Sequence, residues 1–186
     1  IMKVTLASEL NVLVNELGRI AQASRQTCDF TLHSLRDAIM EIVACFPVYR
    51  TYITADLVSD SDRRYIEAAV SSARKRTQAA DLSVFDFVRD AMLTTLGDGK
   101  PEAYRQSVLT FAMNMQQFTS PVMAKGMEDT SFYIYNRLIS LNEVGGDPRL
   151  FGVSLAEFHA ANADRAERWP HTMLATSTHD STRSED

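Results

Sequence analysis

Apolar residues recur at helical spacing along most of this chain. Leu10, Leu13, Val14, Leu17, Ile20 and Ala21 fall three or four positions apart, so residues 3 to 24 read as an amphipathic helix with one buried stripe. A second helix is expected from about Leu32 to Ala44, with Leu32, Leu35, Ile39, Ile42 and Val43 on its apolar face and Pro47 ending it. Val48 to Ile53 then looks extended. Asp60 or Ser61 can cap a helix over Asp62 to Thr77, and Asp81 one over Leu82 to Leu96, because short polar side chains satisfy the amides of a first turn. Gly97 to Pro101 reads as a turn, and Glu102 to Gln116 as a helix burying Tyr104, Val108, Phe111, Ala112 and Met115.

The pattern shortens beyond that point. Pro121 to Ala124 reads as a short apolar strand, and Asp129 can cap a helix carrying Phe132, Tyr135, Leu138 and Ile139. Gly145-Gly146-Asp147-Pro148 breaks the periodicity, and Ser154 with Glu157 forms a capping box for a helix to about Arg165. Met173 to Ala175 reads as a buried strand that breaks into His179-Asp180, the way a barrel presents side chains at the mouth of its sheet. There is no internal repeat and no low-complexity segment.

Composition narrows the function classes. With 45% hydrophobic residues in 186, the chain can build a core. Net charge is −5, and no basic block exceeds Arg74-Lys75-Arg76, which gives a nucleic-acid surface little support. Cys28 and Cys45 lack Cys-x-x-Cys spacing, and His33, His159, His171 and His179 lack ligand spacing, so neither a metal nor a cofactor is expected. The cysteine usage fits a reducing cytoplasm. No run approaches the roughly 18 apolar residues of a membrane span, so no membrane partner is expected.

Five further segments carry more specific information: FPVYRTYI at 46 to 53, PVMAKGMEDT at 121 to 130, SLNEVGGDP at 140 to 148, the pairs Phe158-His159 and Trp169-Pro170, and STHDSTRSED at 177 to 186. Their identity and order resemble the maltooligosyltrehalose synthases, a family of the α-amylase superfamily. Ser181 and Thr182 stand where the family has Thr-Lys. The resemblance implies an isomerase of trehalose biosynthesis built on a TIM barrel. It turns the reducing-end α-1,4 bond of a maltooligosaccharide into an α,α-1,1 linkage by intramolecular transglucosylation. A retaining enzyme of this kind needs two carboxylates about 5 to 5.5 Å apart. The family's GFRIDH and VEK patterns for them are absent between Ile1 and Asp186. The expectation is therefore an internal fragment, inactive alone, whose partners are the maltooligosaccharide and the remainder of the parent barrel. The expected fold is mainly α: a helical subdomain inserted in a TIM-barrel enzyme, plus one or two isolated barrel strand segments. The expected divisions are residues 1–55, a helical segment with FPVYRTYI, 56–117, the inserted helical subdomain, and 118–186, the barrel-derived segment. The alternative is a non-catalytic helical binding module.

The same resemblance assigns roles. Asp180 is the catalytic carboxylate that stabilises the oxocarbenium-like transition state without attacking the sugar, and His179 binds the same ring. Arg183 contacts substrate or a carboxylate through its guanidinium fork. Lys125, Glu128 and Asp129 lie between a strand and a helix, where substrate contacts sit in a barrel, although acidic residues also suit any first helical turn. Tyr49 and Arg50, with Tyr52, offer stacking area and donors to a glucan, although aromatic residues after a helix are often core. Asn142, Glu143 and Asp147 have the composition of a glycine turn.

Overall fold

A computed structural model of the chain describes residues 1–78, 81–175 and 177–178. They divide into two compact units, Ile1–Gly126 and Met127–Asp186. The first unit is a five-helix bundle: α1 (Ala7–Gln22), α2 (Leu32–Ala44), α3 (Asp60–Arg76), α4 (Ser83–Met92) and α5 (Glu102–Met123). α1 packs on α2 and α5, α2 also on α3 and α4, and α4 on α3 and α5. One core results, with Leu10, Leu17, Leu35, Ile39, Ile66, Val88, Phe111 and Met115 fully buried.

Local chemistry explains where the helices start. Thr31 accepts the Ser34 amide at the start of α2, and Ser59 accepts the Asp62 amide at the start of α3. The cap of α3 is thus one residue ahead of the expected Asp60 and two ahead of Ser61. Asp81 accepts both the amide and the hydroxyl of Ser83 just before α4. α4 ends at Met92, short of Leu96, because Thr94 turns into the left-handed region at φ 62°. The turn at residues 97–101 closes with Lys100 N–H donating to the Gly97 carbonyl, and Gly99 supplies the positive φ.

α5 overturns one expectation. Pro121 does not open a strand but lies inside the last turn of a helix that runs to Met123. Proline removes one amide and strains the turn before it. The buried stripe nevertheless continues past Met115 through Gln116, Phe118 and Thr119, so packing carries the helix onward. The chain then follows a wider π-helical path over Ala124–Ser131. Asp129 lies within that path, and the helix expected after it shrinks to one turn, α6 (Phe132–Ile134), with Tyr135, Leu138 and Ile139 exposed.

The described residues contain no strand, so the expected barrel strand segments are absent as strands. Val48 to Ile53 forms no ladder, and Met173 to Ala175 is exposed rather than buried. A strand needs a neighbour to pair its backbone groups, and these segments find none. In the second unit α7 (Leu155–Arg168) starts on the expected capping box, with Ser154 and Glu157 bonding reciprocally. No residue of α7 is buried. No helix among the described residues is long and apolar enough to cross a membrane.

Candidate functional site

The FPVYRTYI segment connects α2 to α3. Phe46, Thr51 and Ile53 are buried, Tyr49 and Arg50 half-buried, and Tyr52 is 70% exposed. With no strand beside them among the described residues, Tyr52 and Ile53 take their backbone hydrogen bonds from side chains. Asp62 Oδ1 accepts the Tyr52 amide at 3.0 Å. Gln116 Oε1 accepts the Ile53 amide at 2.6 Å, and Gln116 Nε2 donates to the Ile53 carbonyl at 3.1 Å. Arg50 donates from Nε to the Thr51 carbonyl at 3.3 Å and places its guanidinium carbon 4.9 Å from the centre of the Tyr52 ring. That distance is within cation–π range. The Arg50 guanidinium thus lies over the exposed Tyr52 ring.

Lys125, Glu128 and Asp129 lie on the π-helical stretch, with Lys125 and Asp129 exposed and Glu128 half-buried. Each has a partner within the chain. Lys125 belongs to the first unit, Glu128 and Asp129 to the second. A cleft of about 340 Å³ between α1 and α5, lined by Leu6, Val12, Phe118 and Pro121 among others, includes none of the expected site residues.

In the second unit Asn142 is buried and donates from Nδ2 to the carbonyls of Phe132 and Tyr135, which ties the SLNEVGGDP turn to α6. The turn closes with the Gly146 amide donating to the Glu143 carbonyl at 2.8 Å. A side chain at Gly146 would meet the carbonyl oxygens of Leu141 and Glu143 at 3.0 Å, which explains the second glycine. Asp147 accepts from the Arg149 guanidinium at 2.9 and 2.6 Å and from its amide at 3.0 Å. The guanidinium first, then the amide, holds the Asp147 carboxyl down at about 2. These residues shape the turn. Phe158 and His159 meet edge to face, with centroids 5.6 Å apart. His179, Asp180 and Arg183 lie outside the described residues.

Among the described residues the structure thus brings Arg50 together with Tyr52, and Lys125, Glu128 and Asp129 lie on the π-helical stretch. Two polar residues that hold the Arg50–Tyr52 segment, Gln116 and Asp62, were not expected. For Gln116 the available signal was a polar residue on an apolar stripe: it follows Ala112 by four on the buried side of α5.

Two curated proteins match the chain, one from Mycobacterium tuberculosis strain CDC 1551 / Oshkosh and one from strain ATCC 25618 / H37Rv, both named "Putative maltooligosyl trehalose synthase". Each is 55% identical over 75 residues, which is 40% of this chain and 10% of the relative. The chain resembles maltooligosyl trehalose synthase. It spans only about a tenth of the length of the curated relatives it matches. No protein-family model and no solved structure matches.

Proposed function

We propose that this chain is an internal part of a maltooligosyltrehalose synthase, an intramolecular transglucosylase with a TIM-barrel catalytic domain. The observation that carries the reading is the 55% identity over 75 residues to the two mycobacterial proteins of that name. In the proposed reaction the parent's nucleophile attacks the anomeric carbon of the bond before the reducing-end glucose, and its acid protonates the leaving oxygen. The released glucose stays bound and re-attacks through its anomeric hydroxyl, returning the proton to the base and giving the α,α-1,1 linkage. Water has to be excluded, or the product is hydrolytic.

This chain's share is the transition-state stabiliser Asp180, with His179 on the same ring and Arg183 beside them. Lys125, Glu128 and Asp129 form part of the substrate rim, and Tyr49 and Arg50 contact the glucan. Residues 56–117 supply the inserted helical subdomain, residues 1–55 the helical segment with FPVYRTYI, and residues 118–186 the barrel-derived segment. A rival reading, a non-catalytic helical binding module, has one observation in its favour: α1 to α5 close a core of their own.

The test has two arms. The chain alone, incubated with maltohexaose, yields no trehalose-capped product, because neither reacting carboxylate is encoded. In the parent enzyme, Asp180→Asn lowers the single-turnover rate by orders of magnitude with the circular dichroism unchanged, since a charged acceptor facing a developing positive centre becomes a neutral amide. Near-wild-type turnover for Asp180→Asn removes the assignment. Trehalose-capped product from the chain alone, freed of contaminating amylase, removes the fragment reading.

A further inference from the structure

A buried carboxamide is costly unless both its ends are paired. Gln116 is 2% exposed in the middle of α5, and its side chain spends both ends on one residue, Ile53, 63 positions away in sequence. The chemistry fixes its orientation: the Ile53 N–H needs an acceptor, the Ile53 carbonyl needs a donor, and Nε2 also lies 3.7 Å from Met113 Sδ. A carboxamide offers donor and acceptor side by side, as one residue of an adjacent strand would. Asp62 holds the preceding amide, and its other oxygen accepts from Ser59 Oγ at 2.6 Å. Tyr52 is thus fixed at its own nitrogen and at both backbone groups of the next residue, while its ring faces outward with Arg50 over it. An apolar residue at 116 would fill the same space, so what the amide adds is a fixed register for the exposed residue next to Ile53.

We infer that Gln116 is a positioning residue for the Arg50–Tyr52 pair, and that the pair takes one glucosyl unit of an α-1,4 glucan. Tyr52 supplies stacking area and the Arg50 fork supplies donors to hydroxyls. This rests on the reading of residues 46 to 53 as glucan-facing. Gln116 touches no substrate and acts through Ile53 on Tyr52.

Calorimetric titration of the full chain with maltohexaose tests it. Wild type binds, Tyr52→Ala weakens binding about five- to tenfold, as expected for loss of an aromatic contact, and Gln116→Met, close in volume, weakens it about three- to tenfold. In the Tyr52→Ala background Gln116→Met has no further effect, because a residue acting through Tyr52 has nothing left to position. Absence of binding by wild type, or no change on Tyr52→Ala, overturns the glucan-facing reading and the inference with it. A weakened Tyr52→Ala alongside an unaffected or fully additive Gln116→Met overturns the positioning role alone. If Gln116→Met does not fold, amide exchange in the wild-type chain decides: the Tyr52 and Ile53 amides exchange as slowly as the buried part of α5 and slow further with maltohexaose. Loop-like exchange in the free chain, or no further slowing, overturns the inference.

Discussion

Asp147 and Arg149 are two residues apart and bind each other through both guanidinium and backbone amide. The guanidinium is the larger cause of the low Asp147 value, the amide the smaller. A carboxylate depressed in this way stabilises the turn fully above the ordinary aspartate range, and its contribution is lost as pH falls through the folded value of about 2. Arg149→Ala is expected to raise the Asp147 midpoint while leaving it short of an ordinary aspartate, because the residue 149 amide still donates. A carboxyl carbon titration by NMR measures this, and an unchanged midpoint would show that the amide alone sets it. At this scale the sequence told its reader unevenly. The Gly-Gly-Asp-Pro turn was legible because glycine and aspartate have few other uses together. Gln116 was not, because a glutamine near the end of an expected helix looks like a surface residue until its partner 63 positions away is known.

Helices were legible where one face alternates cleanly with solvent. α2 runs over the expected Leu32 to Ala44, since Leu35, Ile39, Ile42 and Val43 form a buried stripe and Thr31 precedes it, while Leu32, expected on that stripe, is 50% exposed. α5 was expected to stop seven residues early because Gln116 and Thr119 interrupt the stripe with polar side chains that are in fact buried, and Pro121 added a false stop. Segments 48–53 and 173–175 have strand-like composition, but strands depend on pairing partners that local pattern does not supply. α7 was legible through its capping box. The box carries much of that helix, because none of its residues is buried and a 14-residue helix without packing is marginal in water. Ser154→Ala removes the acceptor for the Glu157 amide and costs about 1 kcal/mol. The Glu157 carboxyl, held low first by the Ser154 hydroxyl and then by its amide, should rise. Helical chemical shifts over 155–168 check the first effect, and a Glu157 titration the second.

At the scale of the molecule, the two units differ in how their apolar residues are used. In Ile1–Gly126 the large apolar side chains of α1, α2, α4 and α5 converge on one core, tied further by Asn114 to Glu16 and by Arg74 and Arg89 to Asp86. Residues 1 to 126 made alone are therefore expected to melt cooperatively, and Leu17→Ala within them to cost about 2 to 5 kcal/mol. Broad, non-cooperative melting of 1 to 126 would show that this core does not suffice. In Met127–Asp186, by contrast, Phe151 is 82% and Met173 93% exposed, with Leu150, Val153, Leu155, Phe158 and Trp169 also exposed.

That exposure sorts the chain's cleavable bonds into two grades. A protease acts on backbone that opens locally, and opening is cheapest where few apolar contacts must be broken. Arg137, Arg149, Arg165 and Arg168 lie where burial is scarce, whereas Arg19, Arg74 and Arg89 lie on helices that close the core. A brief trypsin digest followed by mass spectrometry should cut first at the former group and leave a product retaining α1 to α5. Early cuts at Arg19, Arg74 or Arg89 would reverse the order. The same gradient implies that a cell holding this chain alone would remove its carboxyl-terminal third first.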